Sequence, residues 1–114
     1  MSVKLTTRQV GDVTVIDAVG RITLGEGAST FRDKIRELAA SGNKKMLLNL
    51  AEVSYIDSSG IGEMVSGFTT VTNQGGSVKL LGLTKRVKDL LQITKLYTVF
   101  EVFEDEATAV RSFA

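Results

Sequence analysis

The chain contains no cysteine and no histidine among its 114 residues. Without cysteine it has no disulfide framework, no thiolate nucleophile and no thiolate metal site. Without histidine it lacks the commonest general base and the imidazole metal ligand. These two absences exclude most hydrolase mechanisms, so we expect a protein that is not an enzyme and that uses no cofactor or metal.

Long apolar runs and charge excess of one sign are also missing. No uncharged stretch approaches the roughly 20 apolar residues that span a bilayer, and residues 1–10 lack the apolar segment of a signal peptide. Lys and Arg number 14 against 13 for Asp and Glu, and the two signs are interspersed rather than gathered in a basic stripe. We therefore expect a cytoplasmic protein without membrane insertion or direct nucleic-acid binding.

Alternating strand and helix patterns predict an α/β fold in one domain, residues 1–114. Gly11-Asp12 is a turn signal between two apolar-rich runs, so the chain opens with a hairpin whose first strand lies at a sheet edge. The predicted strands are 3–10, 13–19, 45–51, 78–83 and 97–103. The order is ββαβαβαβα, with a mixed sheet of about five strands, parallel after the hairpin.

Helical periodicity and capping residues place the four helices. The first begins at Ala28, the second follows Asp57, the third is capped by Thr84 and the fourth by Asp105. In the third helix the predicted inward positions are Val87, Leu90, Leu91 and Thr94. The strand at 45–51 is nearly all apolar, as expected of a central strand covered on both faces.

The stretch YIDSSGIG, residues 55–62, stands where a strand ends and a helix begins. Asp and Ser are favoured helix caps, and a serine hydroxyl is also a modification site, so the residues alone leave both readings open. Glycines at 60, 62 and 67 have two readings: close packing or turn geometry, which suits Gly60 and Gly62, or an outer helix surface bare enough for a partner to approach closely.

Other motifs do not support an enzyme. GRITLGEG, residues 20–27, has Glu26 where a phosphate-binding loop needs Lys, and GIGEMVSG, residues 60–67, lacks the third glycine of a dinucleotide site. A serine nucleophile at position 58 or 59 has no histidine to take its proton. Asp57 and Glu63 offer too few oxygens for an octahedral magnesium site.

The residues LLNLAEVSYIDSSGIGEMV, 47–65, resemble the signature of the STAS domain, the sulfate transporter and anti-sigma factor antagonist family. The predicted element order also resembles that fold, so the similarity covers essentially the whole chain. The length resembles the stand-alone bacterial antagonists. In these, an anti-sigma factor serine kinase phosphorylates the first serine of the D-S-S-G motif, and a Mg-dependent serine phosphatase reverses the mark.

The resemblance implies a role for each residue of the motif. Ser58 is the phosphoacceptor, Asp57 is the neighbouring acid, and Ser59 and Gly60 open the docking helix, with Ser59 expected to cap it. The chain departs from the G-E-L-D pattern of many members, because Arg21 and Thr23 stand where they carry acids. The candidate partner-binding residues are Thr23, Glu26, Ile61, Gly62, Glu63, Ser66 and Gly67.

These roles imply a partner switch: the unphosphorylated domain binds the anti-sigma factor kinase and releases the sigma factor, and phosphorylation of Ser58 abolishes binding. An alternative is a STAS-like binding module without phosphorylation, either a small-ligand sensor or an accessory subunit of a membrane transport ATPase. An apolar pocket with few polar groups would favour the sensor, and co-purification with an ATPase would favour the accessory subunit. Turnover by the purified domain alone would indicate an enzyme.

Overall fold

A computed structural model describes residues 3–114, so the first two residues of the predicted domain lie outside the described part. Its strands are β1 (Val3–Val10), β2 (Val13–Ile22), β3 (Lys45–Ile56), β4 (Ser77–Leu81) and β5 (Val102–Phe103). Its helices are α1 (Glu26–Ala40), α2 (Ser58–Asn73), α3 (Lys85–Ile93) and α4 (Glu106–Arg111), with a 3₁₀ turn at Leu96–Thr98. The predicted order ββαβαβαβα is confirmed.

The five strands form one mixed sheet in the order β1-β2-β3-β4-β5. β1 and β2 pair antiparallel, and the remaining neighbours pair parallel. The opening hairpin turns at Gly11, whose φ of 63° lies in the left-handed region that glycine adopts without strain. β1 is an edge strand and β3 is central, as predicted.

Apolar side chains pack on both faces of the sheet. The larger core holds residues from α1, α2 and α3, and a smaller core lies beneath α4. In β3, Met46, Leu48 and Leu50 belong to the larger core and Leu47 to the smaller one, and all four are at most 1% exposed. This double burial accounts for the continuous apolar run in the sequence.

The last strand is much shorter than predicted. The chain reverses at Lys95, which has a φ of 61°, and then forms the 3₁₀ turn, so only Val102 and Phe103 pair with β4. Phe100 is buried, and its ring packs edge-on against Phe68 at 5.3 Å between centroids. The alternating pattern of residues 97–103 is compatible with a strand and with the observed turn. Burial of Phe100 against Phe68 distinguishes the two.

Other boundaries also differ from prediction. Helix α1 begins at Glu26 rather than Ala28, and β4 ends at Leu81 rather than at residue 83. Thr94 is exposed rather than inward, and its hydroxyl donates to the carbonyl of Leu90 at 2.9 Å as α3 ends. β2 and β3 extend beyond residues 19 and 51 to Ile22 and Ile56, which are register partners. The two extensions bring the loop after β2 beside the beginning of α2.

Along residues 3–114, no helix is both long and apolar enough to cross a bilayer.

Candidate functional site

The site lies where the parallel strands β2 and β3 end side by side. The backbone N–H of Asp57 donates to the carbonyl of Ile22 at 3.3 Å, which ties the end of β3 to the end of β2. Ser58 then begins α2, and the chain after β2 forms a short loop before α1 begins at Glu26. The sheet therefore places one loop and one helix N-terminus next to each other.

Asp57 is the N-cap of α2. Its carboxylate accepts the backbone N–H of Gly60 at 3.0 Å and, across the site, the backbone N–H of Leu24 at 2.9 Å. The hydrogen bonds from Leu24 and then Gly60 lower the pKa of Asp57, because they stabilise the charged carboxylate. One side chain thus holds the helix start and the loop after β2 together.

The prediction that Ser59 caps α2 is wrong. An N-cap residue has extended backbone and precedes the helix. Asp57 has this geometry, with φ −100° and ψ −174°, whereas Ser58 and Ser59 already lie inside the helix. The cap of α2 is therefore Asp57, and the residue predicted to be modified is Ser58.

Replacing Asp57 by Ala is expected to lower the free energy of unfolding by about 1 kcal/mol at pH 7, because the helix loses its cap. Asp57→Asn should retain most of this stability, since Asn caps equally well. Because the folded-state pKa is lowered, the charge-dependent stability is present above the unfolded pKa, ordinarily about 3.9, and is lost as pH falls through the folded value.

Urea unfolding between pH 7 and pH 2 measures this effect. The difference in free energy of unfolding between the native protein and Asp57→Ala should decrease as the solution becomes acidic. Asp57→Asn should lack this contribution to the pH dependence of stability. A native protein no more stable than Asp57→Ala at pH 7 would contradict the capping role.

Ser58 is the exposed serine of the pair, and Ser59 is half-buried. As the first residue of α2, Ser58 lies beside backbone N–H groups at the positive end of the helix dipole. A phosphate there is favoured by about 0.3 to 1 kcal/mol. The helix N-terminus therefore favours an anion at Ser58, whereas the neighbouring carboxylate of Asp57 opposes it.

An open groove of about 380 Å³ runs beside Ser58, between the beginning of α2 and α3. Its lining residues are Tyr55, Ile56, Asp57, Ser58, Arg86, Asp89, Leu90 and Ile93. Thr84 ties the beginning of α3 to β3. Its hydroxyl donates to the carbonyl of Val53 at 3.0 Å and also caps α3. Ser58 is therefore at the edge of a groove with both charged and apolar walls.

Comparison with known proteins identifies the family. A model of the STAS domain matches residues 4–109. The chain is 32% identical over 102 residues to the anti-sigma-B factor antagonist of Bacillus subtilis (strain 168), an alignment covering 90% of this chain and 92% of that protein. The chain belongs to the STAS domain family.

Solved structures of anti-sigma factor antagonists share the fold. An anti-sigma factor antagonist from Mycobacterium paratuberculosis matches with a TM-score of 0.88 at 14% identity, covering 98% of this chain and 94% of that one. SpoIIAA of Bacillus in its phosphorylated form matches with a TM-score of 0.76 at 19% identity, covering 97% and 100%. At these identities the likeness confirms the predicted fold.

Two of the three glycines in α2 of this STAS domain are not exposed, so the close-packing reading holds for them and the bare-surface reading does not. A Cβ at Gly60 would collide with the carbonyl oxygen of Ile22, and one at Gly67 would lie 3.0 Å from Cγ2 of Ile35 in α1. Both glycines permit close packing beneath the helix. Of the three, Gly62 alone faces open space, since a Cβ at this position would have nothing within 4 Å.

The candidate partner-binding residues also divide into buried residues and surface residues. Ile61 and Gly67 are buried and offer little surface to a partner. Glu63 is half-buried, with an oxygen 3.9 Å from a guanidinium nitrogen of Arg32. The residues left at the surface are half-buried Thr23 and exposed Glu26, Gly62 and Ser66.

Sequence reasoning missed two exposed apolar side chains next to the site. Leu24, whose N–H is bound by Asp57, is 78% exposed, and Ile93, on the wall of the groove, is also 78% exposed. For Ile93 the sequence offered a signal. Val87 and Leu91 define the inward face of α3, and Ile93 lies off that face although it is apolar, which indicates an exposed apolar side chain. Leu24 gave no signal, because its neighbours suggested only a loop.

Metal-ligating groups are not gathered anywhere in the described range 3–114, where no set of three Asp or Glu residues could hold an ion. Asp57 and Glu63, considered as a magnesium pair from sequence, make separate contacts with backbone N–H groups and with Arg32.

Proposed function

We propose that this STAS domain is an anti-sigma factor antagonist in a phosphorylation-controlled partner switch. The unphosphorylated domain binds an anti-sigma factor that is also a serine kinase, and the sigma factor is released. Phosphorylation of Ser58 abolishes this binding, and a Mg-dependent serine phosphatase restores it. The name and 32% identity of the Bacillus subtilis relative support the general role.

The position of Ser58 is the observation that carries the proposal. Its side chain is exposed at the first residue of α2, whereas Ser59 is half-buried. The exposed apolar residues Leu24 and Ile93 lie on the neighbouring loop and helix. A kinase docked on these apolar side chains would have the Ser58 hydroxyl within its interface, where a phosphate must be accommodated or rejected.

The groove beside Ser58 does not favour the small-ligand alternative. It is open, and beside its apolar residues its walls carry the charged residues Asp57, Arg86 and Asp89. An apolar ligand sensor needs an enclosed and mostly apolar cavity.

Phosphorylation of Ser58 is tested by intact-mass measurement after incubation with ATP and the anti-sigma factor kinase of the same organism. Native protein and the matched control Ser59→Ala should each gain one phosphate, and Ser58→Ala should gain none. A single phosphate on Ser58→Ala together with none on Ser59→Ala would assign the acceptor to Ser59 instead. No phosphate on any of the three would refute the phosphorylation switch.

A further inference from the structure

Two guanidinium groups lie close to the ring of Tyr55. The Cζ atom of Arg21 is 5.3 Å from the ring centroid, and that of Arg86 is 4.8 Å from it. Arg21 is the register partner of Tyr55 in β2, and Arg86 belongs to the first turn of α3. Both arginines are exposed, so the ring gathers two positive charges at the surface.

Neither arginine is neutralised by a carboxylate. Among residues 3–114 the ion pairs within 4.0 Å include neither Arg21 nor Arg86. The acids on the groove walls have other partners: Asp57 accepts two backbone N–H groups, and Asp89 pairs with Lys85 at 3.0 Å. Two guanidinium groups around one ring, neither paired with a described carboxylate, favour the arrival of an anion.

Arg86 and Ser58 line the same groove, one from α3 and one from the beginning of α2. A phosphate on Ser58 would therefore enter the space that Arg86 borders. A guanidinium binds phosphate through two parallel, charge-assisted hydrogen bonds. This pairing supplies directed, charge-assisted hydrogen bonds, which a cation–π contact with the half-buried ring of Tyr55 does not.

We propose that Arg86 is the intramolecular receptor for a phosphate on Ser58, and that phosphorylation moves its guanidinium from the ring of Tyr55 to the phosphate. Arg21 remains beside the ring and adds a second positive charge. This proposal rests on the proposed function only in taking Ser58 as the modified residue. Phosphorylation then changes the groove twice, by adding an anion and by withdrawing a cation that the unmodified domain presents.

The test uses phosphoserine installed at position 58 during translation of the full chain, so that it needs no kinase. Phosphorus NMR titration between pH 5 and pH 8 follows the second ionisation of the phosphate, whose pKa is ordinarily about 6. Carboxyl groups ordinarily titrate below this window and phenols above it. The charged residues that line the groove with Ser58 are Asp57, Arg86 and Asp89. Lys85 pairs with Asp89, and Arg21 lies against the ring of Tyr55.

Pairing with Arg86 favours the doubly charged phosphate and lowers this pKa. Arg86→Gln should raise it by about 0.5 unit, a roughly threefold change in proton affinity. Arg86→Lys should give an intermediate value, because it keeps the charge without the paired donors. The matched control Lys88→Gln removes one charge from α3 outside the groove and should leave the pKa unchanged.

Tyrosine fluorescence provides a second readout, since the chain has no Trp and two Tyr. In a Tyr97→Phe background only Tyr55 emits, and its emission should change when residue 58 is phosphoserine but not when Arg86 is also Gln. An unchanged phosphate pKa in Arg86→Gln, or an equal shift in Lys88→Gln, would overturn the proposal. Failure of the kinase to modify Ser58 would refute the switch without affecting this result.

Discussion

Phosphorylation of Ser58 is expected to weaken binding to the anti-sigma factor kinase about a thousandfold. A phosphate adds roughly −1.5 to −2 charges to a side chain that is exposed at the beginning of α2. An acidic group of the partner placed about 4 Å away would then be repelled by roughly 4 kcal/mol at an effective dielectric of about 20. At about 1.4 kcal/mol per decade, this corresponds to three orders of magnitude in Kd.

The effect arises in the interface and needs no refolding of the domain. The helix N-terminus tolerates the anion, and Asp57 already supplies the cap, so phosphorylated and unmodified domains should differ little in stability. Calorimetric titration of the kinase with both forms measures the affinity, and urea unfolding measures the stability.

Variants at position 58 separate charge from size. Ser58→Ala should bind as the unmodified domain does, and Ser58→Asp should bind at least about tenfold more weakly, since a shorter side chain carries one charge. Ser58→Asn has nearly the shape of Asp without the charge and should bind close to the native protein. Equal losses for Asn and Asp would contradict the electrostatic explanation.

Replacing Gly60 by Ala is expected to lower the free energy of unfolding by about 2 to 3 kcal/mol, within the usual cost of overpacking a core. The added Cβ would collide with the carbonyl oxygen of Ile22 and lie 2.7 Å from Cγ2 of Ile56. A backbone carbonyl cannot turn aside as a flexible side chain can, so the strand and the helix must separate. Urea unfolding of the variant gives the loss directly.

Gly62→Ala is the matched control, two residues along the same helix. A Cβ there meets nothing within 4 Å, so the variant should gain up to about 1 kcal/mol from helix propensity. A Gly60→Ala protein as stable as the native one would show that α2 can lift from β2 at no cost. The carbonyl of Ile22 also accepts the N–H of Asp57, so Gly60→Ala should in addition disturb the position of Ser58.

Much of the fold could be predicted because the local signals agree with the tertiary structure. Periodicity located α1 and α2, the Gly11-Asp12 turn located the hairpin, and Thr84 and Asp105 cap the helices that they were expected to cap. Residues 97–103 are the largest exception. Their alternation is equally compatible with a strand and with the observed turn, and only the packing of Phe100 on Phe68 distinguishes the two.

The candidate site was predicted less completely. The D-S-S-G motif identified the strand-to-helix junction, but the three consecutive polar residues could not be assigned to capping or exposure from their order alone. In the same way, Gly60, Gly62 and Gly67 look alike in sequence. Whether a glycine bares a surface or admits a neighbouring backbone depends on what packs against it.

By itself the sequence determined that the chain has neither cysteine nor histidine chemistry, that strands and helices alternate, and that a serine pair follows an apolar strand. These properties depend on residue type and local periodicity. The tertiary structure alone decided that Asp57 ties α2 to the loop after β2, and that Leu24 and Ile93 border the site. It also decided that Arg21 and Arg86 meet at Tyr55. Each of these depends on residues distant in sequence, which only the packing of the sheet and helices brings together.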